Sequence, residues 1–218
     1  MRLLFTCLAV SVAVLGLFTS AVAPEEFEGK ITFKITYSDL PDEIAGMESM
    51  LPKESTLYVK GSKTAMVQDG MTGNTIAVNN HESKTSFVLM DLMGAKYAVK
   101  STPEDYEKAE QERNNQKITL HDETKEIAGF LCKKATVVSG DDPPMTVYYT
   151  EDLKVNSSFN FSNGLEGFPL SYSTQQSEMT LTLVATEVVK ETVDDSRFEI
   201  PEGYTTMTPE ELQKFTGR

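Results

Sequence analysis

FEGKITFKITY, residues 27–37, alternates apolar and polar side chains from end to end. Phe27, Ile31, Phe33, Ile35 and Tyr37 are apolar, and the even positions Glu28, Lys30, Thr32, Lys34 and Thr36 between them are polar. Strict alternation over this length predicts a β-strand with one dry face and one wet face. Gly29 falls on the apolar side, which marks a bulge or a close backbone approach.

Short β-rich runs continue outward from this strand. STLYVKG (55–61), TAMVQD (64–69) and NTIAVN (74–79) are separated by Gly punctuation, and TSFVLMDL and AKYAVKS follow, joined near Met93 and Gly94. KITLHD, FLCKKATVVS, MTVYYT, FPLSYSTQ and the long MTLTLVATEVVKET complete eleven predicted strands. Their tight spacing favours antiparallel pairing, because parallel strands need long crossovers. Three segments break the pattern. Residues 39–52, DLPDEIAGMESMLP, are too long for a hairpin and place Ile44, Met47, Met50 and Leu51 on one helical face, which predicts a short amphipathic lid. TPEDYEKAEQERNNQ (102–116) opens with a helix cap, a proline and acids, and TPEELQKF near the C-terminus reads as a last short helix. The expectation is an α+β fold: one domain, residues 24–218, dominated by an antiparallel sheet.

Residues 1–23 have the form of a secretory signal peptide. Arg2 supplies the positive start, Leu3 to Phe18 is almost wholly apolar, and Ala21-Val22-Ala23 offers small residues for cleavage after Ala21 or Ala23. An exported protein is therefore expected, in the periplasm or the outer cell envelope, with no transmembrane segment in the mature chain. Loss of Arg2 moves the net charge from −13 to about −14, which disfavours nucleic acid and anionic membrane surfaces. Loss of Cys7 leaves Cys132 without an intramolecular partner, so apolar burial must hold the fold together.

Candidate chemistry is sparse. If KITLHD and FLCKKATVVS form a hairpin around residues 123–128, His121 falls near Leu131 or Cys132, and a Cys–His pair could activate a thiolate. Against this, Cys132 lies inside a strand with no nucleophile turn, and buried cysteines usually pack as small hydrophobes. His81 and His121 are the only histidines, and no HxxxH or CxxC spacing occurs, so neither metal nor other cofactor is expected. Met47/Met50 and Met90/Met93 are spaced as gap-filling or groove-lining residues rather than as a copper site. The pairs Asp141-Asp142 and Asp194-Asp195 lack calcium-loop spacing and read as solvated turns. Asn156 and Asn160 sit in N-glycosylation patterns.

Four phrases in order, TKEIAGFLCKKATVV (124–138), TVYYTEDL (146–153), GLEGFPLSYS (164–173) and SRFEIPEGYTTMTPEEL (196–212), resemble the DUF4412 family of exported bacterial proteins. GLEGFPL is also partly similar to the signature region of GLPGLI proteins. The resemblance implies a fold like the LolA and LolB lipoprotein carriers, a curved antiparallel sheet or half-barrel with short helices covering its concave face, whose concavity can hold acyl chains. It carries no catalytic residues. The resulting expectation is a non-catalytic binding protein that holds a lipid, a lipidated envelope protein or another apolar ligand. Phe33, Ile35 and Tyr37 would line the site, with Ile44, Met47, Met50 and Leu51 above them. The alternative is an interaction or structural module with a filled core and no ligand.

Overall fold

The computed structural model describes residues 26–216 apart from 72, 93, 156–164 and 177. The leader, Met93 and the glycosylation patterns at Asn156 and Asn160 lie outside the described residues. All eleven predicted strands form: β1 Gly29–Ser38, β2 Glu54–Lys60, β3 Lys63–Gly70, β4 Gly73–Asn80, β5 Thr85–Leu92, β6 Ala95–Lys100, β7 Lys117–Ile127, β8 Phe130–Val138, β9 Met145–Thr150, β10 Phe168–Gln176 and β11 Met179–Lys190. A twelfth, β12 Thr205–Met207, comes from the stretch before the last helix. They make one sheet in the order β12-β6-β5-β4-β3-β2-β1-β11-β10-β9-β8-β7. Neighbours are antiparallel throughout except β12, which runs parallel to β6.

This corrects the α+β half-barrel with helices over its concave face. The described residues are dominated by a single open sheet, whose edges are β7 and β12. The expected lid is one short helix, α1 Asp42–Ala45, and a 3-10 turn, Glu48–Met50. So few residues gain almost no helical hydrogen bonds, and Pro41 and Gly46 bound the helix. The second helix, α2 Pro103–Asn114, is well capped: Thr102 and Asp105 exchange side-chain-to-backbone hydrogen bonds. It buries only Tyr106, so it cannot cover a sheet face. The third, α3 Pro209–Thr216, starts with a similar exchange between Thr208 and Glu211.

The alternation in β1 does what its period requires. Ile31, Phe33 and Ile35 enter the main core with Leu57 and Val59 of β2 and Leu183 and Ala185 of β11. Each of these side chains larger than Ala185 contributes about 1.5–3 kcal/mol relative to leaving it in water. Gly29 is a close approach: a Cβ there would stand 2.1 Å from the Val189 carbonyl oxygen, so only glycine lets β1 lie this near β11. A second cluster joins Ala135, Val137, Val147, Tyr149 and Leu165. A third sits on β3 and β4, where Ala65 and Val78 pack under Val193 and Phe198 of the C-terminal segment.

Strand β8 serves two clusters. Cys132 is buried in the main core, whereas Ala135 and Val137 are buried in the second. The buried parity therefore changes along the strand, which explains why neither of its faces reads as the inner one in sequence. Opposite this point β7 carries its irregularity, between Leu120 and Thr124.

Candidate functional site

Register places one row of residues on a single face across eight strands. Val188 pairs with Ile31, Ile31 with Leu57, Leu57 with Met66, Met66 with Ala77, Ala77 with Val88, Val88 with Val99 and Val99 with Met207. Direct cross-strand partners project to the same side. At β1 and β2 the row is sealed, with Ile31 0% and Leu57 1% exposed. At β3, β4 and β5 it opens: Met66, Ala77 and Val88 are half-buried. The adjacent row, Thr75, Met90 and Tyr97, is half-buried too.

The opposite face of these strands is already dry. Ala65, Val78, Leu89 and Ala98 are buried there, and Val193 and Phe198 close over Ala65 and Val78. An antiparallel sheet with one packed face ordinarily turns polar side chains outward on the other. Here Met66, Ala77, Val88, Met90 and Tyr97 form a second apolar face. The signal for it is in the sequence: Ile76-Ala77-Val78, Phe87-Val88-Leu89-Met90 and Tyr97-Ala98-Val99 are continuous apolar runs rather than alternations. Reading those runs simply as strands missed the face they build.

The expected lining residues divide. Phe33 and Ile35 are 1% and 4% exposed and belong to the packed interior, with Phe33 tilted against Tyr172 at 6.4 Å between ring centroids. Tyr37 is half-buried at the edge of that core, and its hydroxyl donates to the Pro52 carbonyl at 2.7 Å. This bond ties the end of the insert to the end of β1. Ile44, Met50 and Leu51 are half-buried and Met47 is 47% exposed. The hydrophobic clusters of the described residues take in none of these four.

Cys132 and His121 do not come together. The hairpin turns at Ala128 and Gly129, so Cys132 faces Lys125 across the ladder. Its thiol is 0% exposed and donates to the Phe130 carbonyl at 3.6 Å. Burial, with a smaller contribution from the Asp152 charge, pushes the thiol up to about 11. His121 lies in the exposed irregular part of β7, with Nε2 2.9 Å from Thr136 Oγ1. Among the described residues no three His, Cys, Asp or Glu side chains gather as metal ligands would. No described helix is long and apolar enough to cross a membrane.

No protein-family model matches the sequence, and no curated protein matches it. Solved structures do. PNGF-II shares the fold over 88% of this chain with a TM-score of 0.57 at 16% identity. The chain spans 33% of PNGF-II, and the likeness is one of fold alone. An uncharacterized conserved protein from Thermus thermophilus aligns over 83% of this chain and 91% of its own, with a TM-score of 0.47 at 8% identity. LprF from Mycobacterium bovis aligns over 75% and 88%, with a TM-score of 0.32 at 11% identity. These two scores are too low to carry an argument. The resemblance to the exported DUF4412 family rests on the quoted motifs.

Proposed function

We propose that this chain is an exported, non-catalytic envelope protein that binds an apolar ligand of the lipid acyl-chain class. The ligand lies on the face formed by Met66, Ala77, Val88, Met90 and Tyr97. The observation that carries this reading is the second apolar face on strands whose first face is already packed. Apolar side chains left partly accessible side by side on neighbouring strands support an interaction site. The thioethers of Met66 and Met90 suit it to a flexible chain, because methionine adapts to irregular shapes. On this reading Tyr37 and the insert residues Ile44, Met47, Met50 and Leu51 would supply the rim, and the support for it is the Tyr37 hydroxyl that ties Pro52 to the end of β1.

A second reading is an interaction module, favoured by the filled interior beneath Phe33 and Ile35. In that case the same face receives an apolar protein surface. Titration of delipidated protein with a fluorescent fatty-acid probe separates the two. The ligand reading predicts saturable binding that Met66→Glu with Val88→Glu weakens at least about tenfold, equivalent to about 1.4 kcal/mol. Leu131→Glu, at a 63% exposed position on β8, leaves it unchanged. Absence of saturable binding, or equal binding by both variants, contradicts it.

A further inference from the structure

Ala65 pairs with Val78, Val78 with Phe87 and Phe87 with Lys100, so one row crosses β3, β4, β5 and β6 on a single face. Val193 and Phe198 seal its first two members, with Ala65 0% and Val78 2% exposed. Phe87 is only half-buried and Lys100 is exposed. At this point the covering chain has passed Phe198 and has not yet rejoined the sheet as β12, beside Tyr97–Val99 of β6. A cleft of about 410 Å³ opens between this bridging segment and the sheet. Its apolar lining is Phe87 from β5 and Ile200 from the bridge, both half-buried. Ser86 and Ser101 add half-buried hydroxyl residues, and the Ser101 amide donates to the Ser86 carbonyl at 3.0 Å, which fixes the backbone between them. Phe87 and Val88 are neighbours in β5 and project to opposite faces, so this cleft is separate from the open face of β3–β5.

The charged residues lining the cleft are Lys100 and Glu199, one of each sign and both exposed. Among the described residues neither forms an ion pair, with the other or with any third group. Apolar lining joined to a few polar groups is the usual composition of a small-molecule site, and the volume falls within the range of roughly 300–1,000 Å³. A ligand with a single charge meets one attracting and one repelling group here. A ligand that carries both signs on an apolar body matches both groups. We infer that this cleft binds a small zwitterion of the apolar α-amino acid class. Its side group lies against Phe87 and Ile200, its carboxylate points toward Lys100 and its ammonium toward Glu199. The hydroxyls of Ser86 and Ser101 serve either head, since each can donate or accept.

Calorimetric titration with L-phenylalanine, 3-phenylpropionate and phenethylamine tests this, since the three share a phenyl body and the last two each lack one charged head. Solvent-exposed charge pairs gain little, so L-phenylalanine should bind about threefold more tightly than either analogue. Lys100→Gln should abolish its advantage over phenethylamine and keep its advantage over 3-phenylpropionate. Glu199→Gln should do the reverse. Both positions are exposed, so neither change removes a buried contact. On the unaltered protein, about 1 M salt should shrink both advantages. Equal affinity for the three ligands, no saturation by L-phenylalanine, or advantages that survive both the substitutions and high salt overturn the proposal.

Discussion

Cys132 donates weakly to the Phe130 carbonyl, has no exposed surface and sits among Phe33, Leu170 and Leu183 in the main core. A thiolate there would lose its hydration without gaining a cation, so the thiol stays protonated, with its pKa pushed up to about 11. Native protein at pH 8 should therefore resist thiol-reactive dyes and alkylating agents, and react fully once denaturant opens the core. Rapid modification of the native protein would show the site to be open. Its packing role follows from the same burial. Cys132→Ser places an extra strong hydrogen-bonding group in an apolar site and should destabilise by about 1–3 kcal/mol, more than Cys132→Ala. Equilibrium urea unfolding checks the order of the two.

The elements were legible in proportion to how local their signals are. Alternation in residues 27–37 gave the one-sided strand because it depends on a few neighbouring residues, whereas Gly29 left a bulge and a close approach open and the structure shows the close approach. Capped starts at Thr102 and Thr208 located two helices for the same reason. The pairing of His121 was not legible. The irregularity in β7 between Leu120 and Thr124 and the turn at Ala128 shift the register, and no single residue announces either. Nor did residues 193–198 read as a cover for β3 and β4, since that depends on side chains brought from more than a hundred residues away. Lys60 donates to the Val193 carbonyl at 2.9 Å and to Asp195 at 2.8 Å, Lys63 reaches Asp195 at 3.1 Å, and Arg197 lies 3.9 Å from the Tyr58 ring centroid. The hydrogen bonds from Lys60 and then Lys63 hold the Asp195 carboxyl below its ordinary value. A depressed folded-state value stabilises above the unfolded-state pKa, and the contribution is lost as pH falls through the folded value. Asp195→Asn should therefore lower the melting temperature at pH 7 in low salt, with the gap closing below about pH 4. A gap that widens on acidification would contradict the clasp.

At the scale of the whole molecule, twelve strands among the described residues form an open sheet whose packing changes sides. The interior lies on one face around β1, β2 and β11, and on the other face around β3 and β4 under the C-terminal segment. Where the second core takes over, Met66, Ala77 and Val88 on the first face are only half-buried, between sealed Leu57 and buried Val99. The expected half-barrel put the ligand beneath Phe33 and Ile35, where the structure is filled. The open face a few strands away was hidden from the sequence because continuous apolar runs mean strands apolar on both faces without saying what lies on each. The most direct test is to label the methionine methyl groups with carbon-13, remove bound lipid and titrate the protein with a long-chain fatty acid, following each resonance by NMR. Binding on this face predicts saturable shifts at Met66 and Met90 and none at Met145, which packs in the second cluster on β9. Unmoved Met66 and Met90 at saturating fatty acid, or shifts confined to other methionines, would contradict it.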